Sequence, residues 1–228
     1  MKNVAVIPVK ESSERVKDKN FREFTDGLSI TELKVRQLLE SGVYDEIYIS
    51  SDSEKAREIA EENGIIFIKR PVELCNNVVS WSDVIFHVVS SLPVNDNTSV
   101  SWCHTTSPIF KNYKDAVEKY HALDKNLYDG LVTVTDFNDF LLNDKGRPYN
   151  YNWGVWHEYS QYLDKLYMLT GALFIAEKSE MLKNRYVISR KPFMFGVSKV
   201  ESVDIDTEFD FEIAQIFYNK VREANAAD

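Results

Sequence analysis

The sequence has little of what marks membrane, secreted or metal-cluster proteins. Its two cysteines, Cys75 and Cys103, lack the close spacing of a zinc site and the density of a disulfide framework. No apolar run approaches the roughly 20 residues of a membrane-spanning helix. The amino-terminal residues lead into a strand without a signal-peptide pattern. These absences predict a cytoplasmic protein with buried free thiols and no membrane partner.

Acidic residues outnumber basic residues in the chain as a whole. Lys and Arg number 27 against 36 Asp and Glu, which gives a net charge of −9 at pH 7. A nucleic-acid partner is not expected, since such proteins present a basic face. Residues 10–22 are a local exception, with five basic side chains in thirteen positions. A cationic loop in an acidic chain predicts a site for a specific small anion.

Strand and helix patterns alternate along most of the chain. The apolar run 4–9 is typical of a strand buried on both faces, and an amphipathic helix bounded by Ser29 and Gly42 follows it. This order predicts a single α/β domain over 1–228, with a mostly parallel sheet and helices on both faces. Further strands are predicted near 46–50, 65–68, 99–102, 130–134 and 172–175, and further helices near 54–62, 82–92, 113–123 and from 207 onward.

Residues 136–165 interrupt the alternation. The segment concentrates aromatic side chains, among them Trp153, Trp156 and Tyr159. It has three possible interpretations: a projecting dimerisation segment, a wall of an acceptor pocket, or a satellite core under a long loop.

The loop 10–20 follows the first strand, where ligands bind in open α/β sheets. It lacks both the Gly-x4-Gly-Lys phosphate loop and the Gly-x-Gly-x-x-Gly dinucleotide fingerprint, which disfavours a nicotinamide enzyme. Its hydroxyls and cations nevertheless suit phosphate groups; the alternative is a solvated basic surface. The candidate phosphate ligands are Lys10, Ser12, Ser13, Arg15 and Lys19.

Two later segments also carry chemistry. Asp204 and Asp206 are two apart in an extended stretch, so their carboxylates share a side and suit Mg²⁺; alternatively, Asp206 or Thr207 only caps the last helix. His104 precedes Thr106 and Ser107, whose hydroxyls could contact a ribose or an acceptor, or could simply form a turn.

In this order, the segments resemble the CMP-sialic acid synthetase family, which includes enzymes that act on other nonulosonic acids and on Kdo. The matching stretches are Ile7-Pro8-Val9-Lys10 through Lys19-Asn20, Ile49-Ser50-Ser51-Asp52, Arg70-Pro71-Val72-Glu73-Leu74, Thr106-Ser107-Pro108 and Val203-Asp204-Ile205-Asp206-Thr207-Glu208-Phe209-Asp210.

The resemblance implies a Rossmann-like nucleotidyltransferase fold, a homodimer with 136–165 projecting, and Mg²⁺-dependent transfer of CMP from CTP to a small anionic acceptor. It assigns catalysis to Lys10, Arg15, Lys19 and Asp206. It assigns the nucleotide to Lys10, Ser12, Ser13, Arg15, Lys19, Asn20, Arg70 and Ser80. Metal binding falls to Asp204 and Asp206, and acceptor binding to His104, Thr106, Ser107, Met168 and Thr170.

The chain departs from the family pattern at four positions. Lys10 replaces an arginine, Glu14 a lysine, His104 a glutamine and Met168 an arginine that meets the sugar acid. These changes leave open a phosphonate or phosphorylated acceptor in place of a nonulosonic acid. Two other classes also remain: a glycosyltransferase that uses Asp204-Ile205-Asp206 as its metal site, and a non-catalytic nucleotide sensor, which Glu14 favours.

Overall fold

The computed structural model describes residues 2–226. Its strands are β1 (Asn3–Pro8), β2 (Glu23–Thr25), β3 (Leu28–Ser29), β4 (Glu46–Ser51), β5 (Ile66–Lys69), β6 (Ser99–Trp102), β7 (Gly130–Phe137), β8 (Leu166–Glu177) and β9 (Pro192–Gly196). Its helices are α1 (Ile30–Ser41), α2 (Glu54–Glu62), α3 (Trp81–Ser90), α4 (Tyr113–His121), α5 (Lys178–Asn184) and α6 (Glu208–Ala226). Short 3-10 turns lie at Val72–Leu74, Gly154–Trp156 and Ser160–Tyr162.

Seven strands form the main sheet, in the order β5-β4-β1-β6-β8-β7-β9. β8 runs antiparallel to both neighbours, whereas the other neighbouring pairs are parallel. The prediction of a mostly parallel sheet is therefore confirmed. Because β1, β4 and β6 are parallel neighbours, the loops that follow them open at one edge of the sheet, where ligands bind in such folds.

Apolar side chains cover both faces of the sheet. On one face, Ala5 and Ile7 of β1 pack with residues of α1, α2 and α4. On the other, Val4 and Val6 pack with residues of α3 and α5, and the fully buried Trp102 belongs to this second core. The alternation of β1 side chains between the two cores confirms helices on both faces.

Local signals fix α1 where the sequence predicts it. The Ser29 hydroxyl accepts from the Glu32 amide, and the Glu32 carboxylate accepts from the Ser29 amide at 2.7 Å, which forms a capping box. Gly42 ends the helix with φ of 65°, in the left-handed region that favours glycine.

A third, smaller core joins the first loop to the end of the chain. Val16 is fully buried and packs with Ile205 and Phe211, together with residues of the β2–β3 hairpin and α1. The guanidinium of Arg22 also lies 3.7 Å from the centre of the Phe211 ring. The loop and the Asp204–Asp206 segment therefore pack as one unit.

The aromatic excursion projects from the sheet. The end of β7 and the start of β8 form a two-stranded ribbon, and the consecutive Tyr167, Met168 and Leu169 are all exposed. Successive strand residues point to opposite faces, so both faces of the ribbon are exposed to solvent. Residues 138–169 are called the aromatic projection below. Its exposed large side chains are Phe140, Leu142, Tyr149, Trp153, Val155, Trp156, Tyr159, Tyr162, Tyr167, Met168 and Leu169.

Within residues 2–226, none of the helices is both long and apolar enough to cross a membrane.

Candidate active site

Hydrogen bonds at both ends hold the first loop against the open edge of the sheet. The Glu11 amide donates to the Asp52 carboxylate at the end of β4, 2.9 Å away. The Asn20 side-chain amide donates to the Lys10 carbonyl at 3.0 Å, which draws the two ends of the loop together. The Lys10 ammonium donates to Asn77 from the loop before α3. The loop thus forms a cradle with its cations turned toward one side.

Two adjoining cavities lie along this cradle. One, of about 340 Å³, is lined by Arg70, Asn76, Trp81, His104 and neighbouring residues. The other, of about 380 Å³, includes Ser13, Glu14 and Arg15 in its lining. The two share Lys10, Lys19, Asn20 and Asn77. Together they make a cleft with cations at one end and aromatic rings at the other, within the size range of small-ligand sites.

Arg70 forms part of the cleft floor. Its guanidinium is buried and donates to the Val9 carbonyl and, at 3.0 Å, to the Cys75 sulfur. Burial raises the pKa of the Cys75 thiol, although Arg70 opposes the shift, so the thiol stays protonated near neutral pH. Cys75 is therefore a structural support for Arg70 rather than a nucleophile.

The acidic segment lies across the cleft from the first loop. Arg15 donates to the Asp206 carboxylate at 2.6 Å, and the Lys19 ammonium donates to the Ile205 carbonyl at 2.7 Å. Partial burial lowers the pKa of Lys19, and Asp206 and Asp204 act against that shift. Burial and the charge of Asp206 raise the pKa of Asp204, and the Thr106 hydroxyl opposes this rise.

The helix cap and the acidic pair are separate features of this segment. Thr207 caps α6, because its hydroxyl accepts from the Asp210 amide at 3.2 Å and the Asp210 carboxylate accepts from the Thr207 amide at 2.7 Å. The alternative that Thr207 caps the helix is therefore correct. The cap uses neither the Asp204 nor the Asp206 carboxylate.

Within residues 2–226, no group of three or more His, Cys, Asp or Glu side chains is placed to hold a metal ion. Asp204 and Asp206 offer two hard oxygen ligands, which is the number Mg²⁺ takes when substrate phosphates complete its shell. Arg15 already brings a cation against Asp206. The donor set therefore fits Mg²⁺ bound together with a phosphate ligand.

His104 lines the cleft, and the Trp102 indole donates to its Nε2 at 2.8 Å. Burial lowers the pKa of His104 to about 4, so the ring is neutral. Its ring centre lies 5.7 Å from that of Trp81. The arrangement suits contact with a ligand better than proton transfer.

The remaining candidates fall in different places. Thr106 and His104 line the cleft, and the Ser107 hydroxyl is buried beside Gly171. Thr170 is buried and bonds to Thr133 at 2.7 Å. Met168 lies on the ribbon of the aromatic projection.

Two nucleotide candidates stand apart from the cleft lining. The Ser80 hydroxyl caps α3 by accepting from the Asp83 amide at 3.1 Å. Ser12 is exposed on the first loop, whereas its neighbour Ser13 lines the second cavity. Their assignments to the nucleotide remain predictions.

Comparison with known proteins identifies the family. A model described as cytidylyltransferase matches residues 4–188, a span that contains the cradle, Arg70 and the His104 wall. The chain belongs to the cytidylyltransferase family.

Its relatives share most of this chain but differ in length. An N-acylneuraminate cytidylyltransferase of Streptococcus agalactiae serotype III is 29% identical over 96% of this chain, which spans 54% of that protein. A pseudaminic acid cytidylyltransferase of Campylobacter jejuni is 27% identical over 96% of this chain and 97% of its own length. This chain therefore covers about half of the first relative and nearly all of the second.

Solved structures share the fold of this chain. A CMP:2-keto-3-deoxy-manno-octonic acid synthetase complexed with CTP superposes with a TM-score of 0.66 at 11% identity, over 96% of this chain and 99% of the other. A 4-diphosphocytidyl-2C-methyl-D-erythritol synthase gives 0.66 at 10% identity, over 95% and 98%. The predicted Rossmann-like nucleotidyltransferase fold is confirmed.

Several residues of the cleft were not predicted from the sequence. Asn77 holds Lys10, and Asn76 and Trp81 line the cleft. Thr105 donates to the Asn20 side chain at 3.0 Å and so ties the turn after β6 to the first loop. The position of Asn76 and Asn77 on a polar loop was the available signal, because binding residues are often found on loops that a rigid scaffold positions.

Proposed function

We propose that this cytidylyltransferase transfers CMP from CTP to a nonulosonic sugar acid, with Mg²⁺ bound, and releases pyrophosphate. The observation that carries the proposal is the convergence of Lys10, Lys19 and Arg15 with Asp204 and Asp206 at one end of the cleft. A chain with net charge −9 concentrates cations there, opposite paired carboxylates. That combination suits a triphosphate carried with a divalent cation.

The nucleoside would occupy the cavity beyond the cations. Asn20 and Arg70 line it with polar groups, while Leu74, Val79 and Trp81 supply apolar surface. Arg70 is rigid because both the Val9 carbonyl and Cys75 hold it. A fixed guanidinium beside apolar walls suits the flat, polar-edged ring of a nucleobase.

In the proposed reaction, an oxygen of the acceptor attacks the α-phosphorus in line. A new phosphorus–oxygen bond forms, the bond from the α-phosphorus to the bridging β-phosphate oxygen breaks, and the acceptor hydroxyl proton passes to solvent. Asp204 and Asp206 would hold Mg²⁺, which would neutralise charge at the phosphates. Lys10 and Lys19 bind and orient the triphosphate, so the chain contributes mainly positioning and electrostatics.

Arg15 has a second task in this scheme. It pairs with Asp206 at 2.6 Å, and both side chains are exposed. A triphosphate would compete for the guanidinium, because phosphate oxygens accept bidentate bonds from arginine. Binding of the nucleotide would then release the Asp206 carboxylate toward the cation.

A phosphonate or phosphorylated metabolite is the second candidate acceptor. Met168 brings no charge to the cleft, so the acid group of a nonulosonic acid would not meet an arginine there.

Arg147 and Lys165 lie on the aromatic projection and carry exposed cations. We propose that the chain works in the cytoplasm as a homodimer through this projection, which would bring those cations toward the partner's cleft.

The test is pyrophosphate release from each of the four nucleoside triphosphates with Mg²⁺. The acceptor panel holds N-acetylneuraminate, pseudaminate, Kdo, small phosphonates and small phosphate monoesters. The proposal predicts release with CTP and with one of the sugar acids. Release with a phosphonate or phosphate alone would favour the second acceptor class. CTP binding without release would favour the sensor, and lack of CTP binding would refute the nucleotide assignment.

A further inference from the structure

Helix α1 carries a buried polar stripe beneath the cleft. Thr31, Lys34 and Gln37 recur every third residue, so they lie along one side of the helix. All three are buried, and Lys34 is fully enclosed. Such a stripe inside a packed interface is unusual, because lysine almost never lies inside a protein unless it is paired.

Each member of the stripe donates to a backbone carbonyl of a loop that lines the cleft. The Thr31 hydroxyl donates to the Asn20 carbonyl at 2.7 Å, at the end of the first loop. The Lys34 ammonium donates to the Ser107 carbonyl at 2.9 Å, and the Gln37 amide to the Pro108 carbonyl at 2.6 Å. One helix therefore fixes both the phosphate cradle and the turn that follows β6.

Lys34 is the member whose presence is hardest to explain by stability. Its two acceptors, the Ser107 carbonyl and the Tyr113 hydroxyl, are both neutral. A buried cation satisfied by neutral oxygens costs free energy that an apolar side chain of similar length would avoid. Burial lowers the pKa of Lys34 to about 8, so the ammonium is still mostly protonated at pH 7.

The loop 104–108, which Lys34 holds, also supports the acidic segment 204–206. The Thr106 carbonyl accepts from the Ile205 amide at 2.9 Å, which ties the turn to the acidic segment. Ile205 itself is fully buried, and its carbonyl accepts from Lys19. Ile205 lies between the two candidate metal ligands. A shift of the Ser107 carbonyl would therefore displace both ligands through the hydrogen bond between Thr106 and Ile205.

We propose that Lys34 is a positioning residue, which holds the turn 104–108 from below and thereby fixes Ile205 between Asp204 and Asp206. Thr31 and Gln37 complete the same support at its two ends. The expected effect on turnover rests on the proposed cytidylyl transfer, whereas the effect on the Ile205 amide does not. Lys34 is enclosed and does not touch substrate.

The chain offers a matched control. Lys178 is also buried, and its ammonium donates to two neutral carbonyls, Leu92 and Val94, both at 2.9 Å. It begins α5 on the other face of the sheet and contacts none of the cleft loops described above. Lys34→Met and Lys178→Met therefore remove the same kind of group, one beneath the cleft and one remote from it.

The test compares these two variants with the wild type by amide hydrogen exchange at Ile205 and by CTP titration, with pyrophosphate release measured alongside. We expect Lys34→Met to remain folded, to exchange the Ile205 amide about ten times faster or more, and to bind CTP within about twofold of wild type. The rate constant kcat should fall roughly 10- to 100-fold, as for displacements of about 1 Å at a reacting centre. Lys178→Met should leave the exchange rate and kcat unchanged.

Unchanged Ile205 exchange in a folded Lys34→Met variant would overturn the proposal, and so would equal effects of the two substitutions. If the wild type releases no pyrophosphate with any acceptor, the proposed function fails and Ile205 exchange alone decides the role of Lys34. If Lys34→Met does not fold, Gln37→Met replaces it. Gln37→Met removes the donor to the Pro108 carbonyl. If the Ile205 amide still exchanged at the wild-type rate in this variant, the proposal would likewise be refuted.

Discussion

Asp206 and Glu208 offer a controlled test of the metal assignment. Each is an exposed acid before or at the start of α6, and each pairs at 2.6 Å with an arginine, Arg15 of the first loop or Arg22 just after it. Both acidic side chains are 52% exposed. Their surroundings differ, because Asp206 interacts with Asp204 and Lys19 in the cleft, whereas Glu208 faces Arg22 and the Lys17 amide. Asp206→Asn and Glu208→Gln are therefore isosteric changes with opposite expectations.

The magnitudes follow from the exposure of the Arg15–Asp206 pair. An exposed ion pair contributes about 0–1 kcal/mol, so Asp206→Asn should lower Tm by at most about 4 °C in a domain of this size. The carboxylate does not cap α6, which leaves the helix intact. Turnover should fall about 10²- to 10³-fold, comparable with the loss of one preorganised electrostatic contact in other enzymes.

The assay is pyrophosphate release over a Mg²⁺ titration, with thermal unfolding of each variant measured in parallel. Asp206→Asn should lose activity and require more Mg²⁺ for what remains, while Glu208→Gln should keep nearly wild-type activity. Normal turnover in Asp206→Asn would remove the metal assignment. Equal losses in both variants would show that the Arg pairs, rather than the cation site, matter.

Three further predictions follow from the same structure. Lys19→Met should weaken CTP binding by at least about tenfold in a titration, because its ammonium is shared by both cavities; unchanged affinity would mean that the triphosphate lies elsewhere. The pKa of His104 is about 4 in the folded protein, against an ordinary value of 6.5. The contribution of neutral His104 to the free energy of unfolding is therefore present above pH 6.5 and is lost as the pH falls toward 4. The loss is up to about 3 kcal/mol, and urea unfolding of wild type and His104→Gln at pH 7 and 4.5 should show a smaller pH dependence in the variant. Light scattering should give the mass of a dimer, because the aromatic projection exposes apolar surface on both faces; a monomer at micromolar concentration would contradict this.

The elements with strong local signals could be predicted from the sequence. The helix α1 has a capping box at Ser29 and a left-handed glycine at its end, and both act within a few residues. The first strand is a continuous apolar run, which indicates burial on both faces without further context. The acidic pair and the basic loop were recognisable because residue type and spacing together specify their chemistry.

Other features depend on contacts distant in sequence. Only the later part of β8 was predicted, because its first residues are ordered by pairing with the end of β7 rather than by a buried apolar pattern. The two-residue strand β3 is too short to leave a periodic signal. Lys34 follows the polar spacing of a solvated helix face, and only the packing of α1 against Ser107 and Tyr113 makes it a buried group.

The surroundings of His104 also depend on the fold, and its assignment to acceptor binding remains a prediction. The Trp102 indole donates to Nε2 of His104 at 2.8 Å, and burial keeps the ring neutral by lowering its pKa to about 4. Gly171 permits the close approach of His104, since a Cβ there would lie 3.2 Å from the His104 ring and 3.4 Å from the Ser107 hydroxyl. Two segments distant in sequence, 102–107 and the one around Gly171, thus define one wall of the cleft.

The most direct test of the central claim is mass spectrometry of the product formed from CTP, Mg²⁺ and each sugar acid of the panel. Cytidylyl transfer predicts a species with the mass of CMP plus acceptor less one water, formed in equal amount to pyrophosphate and lost in Asp206→Asn. Consumption of CTP without such a species, or the same product from Asp206→Asn at the wild-type rate, would contradict the account.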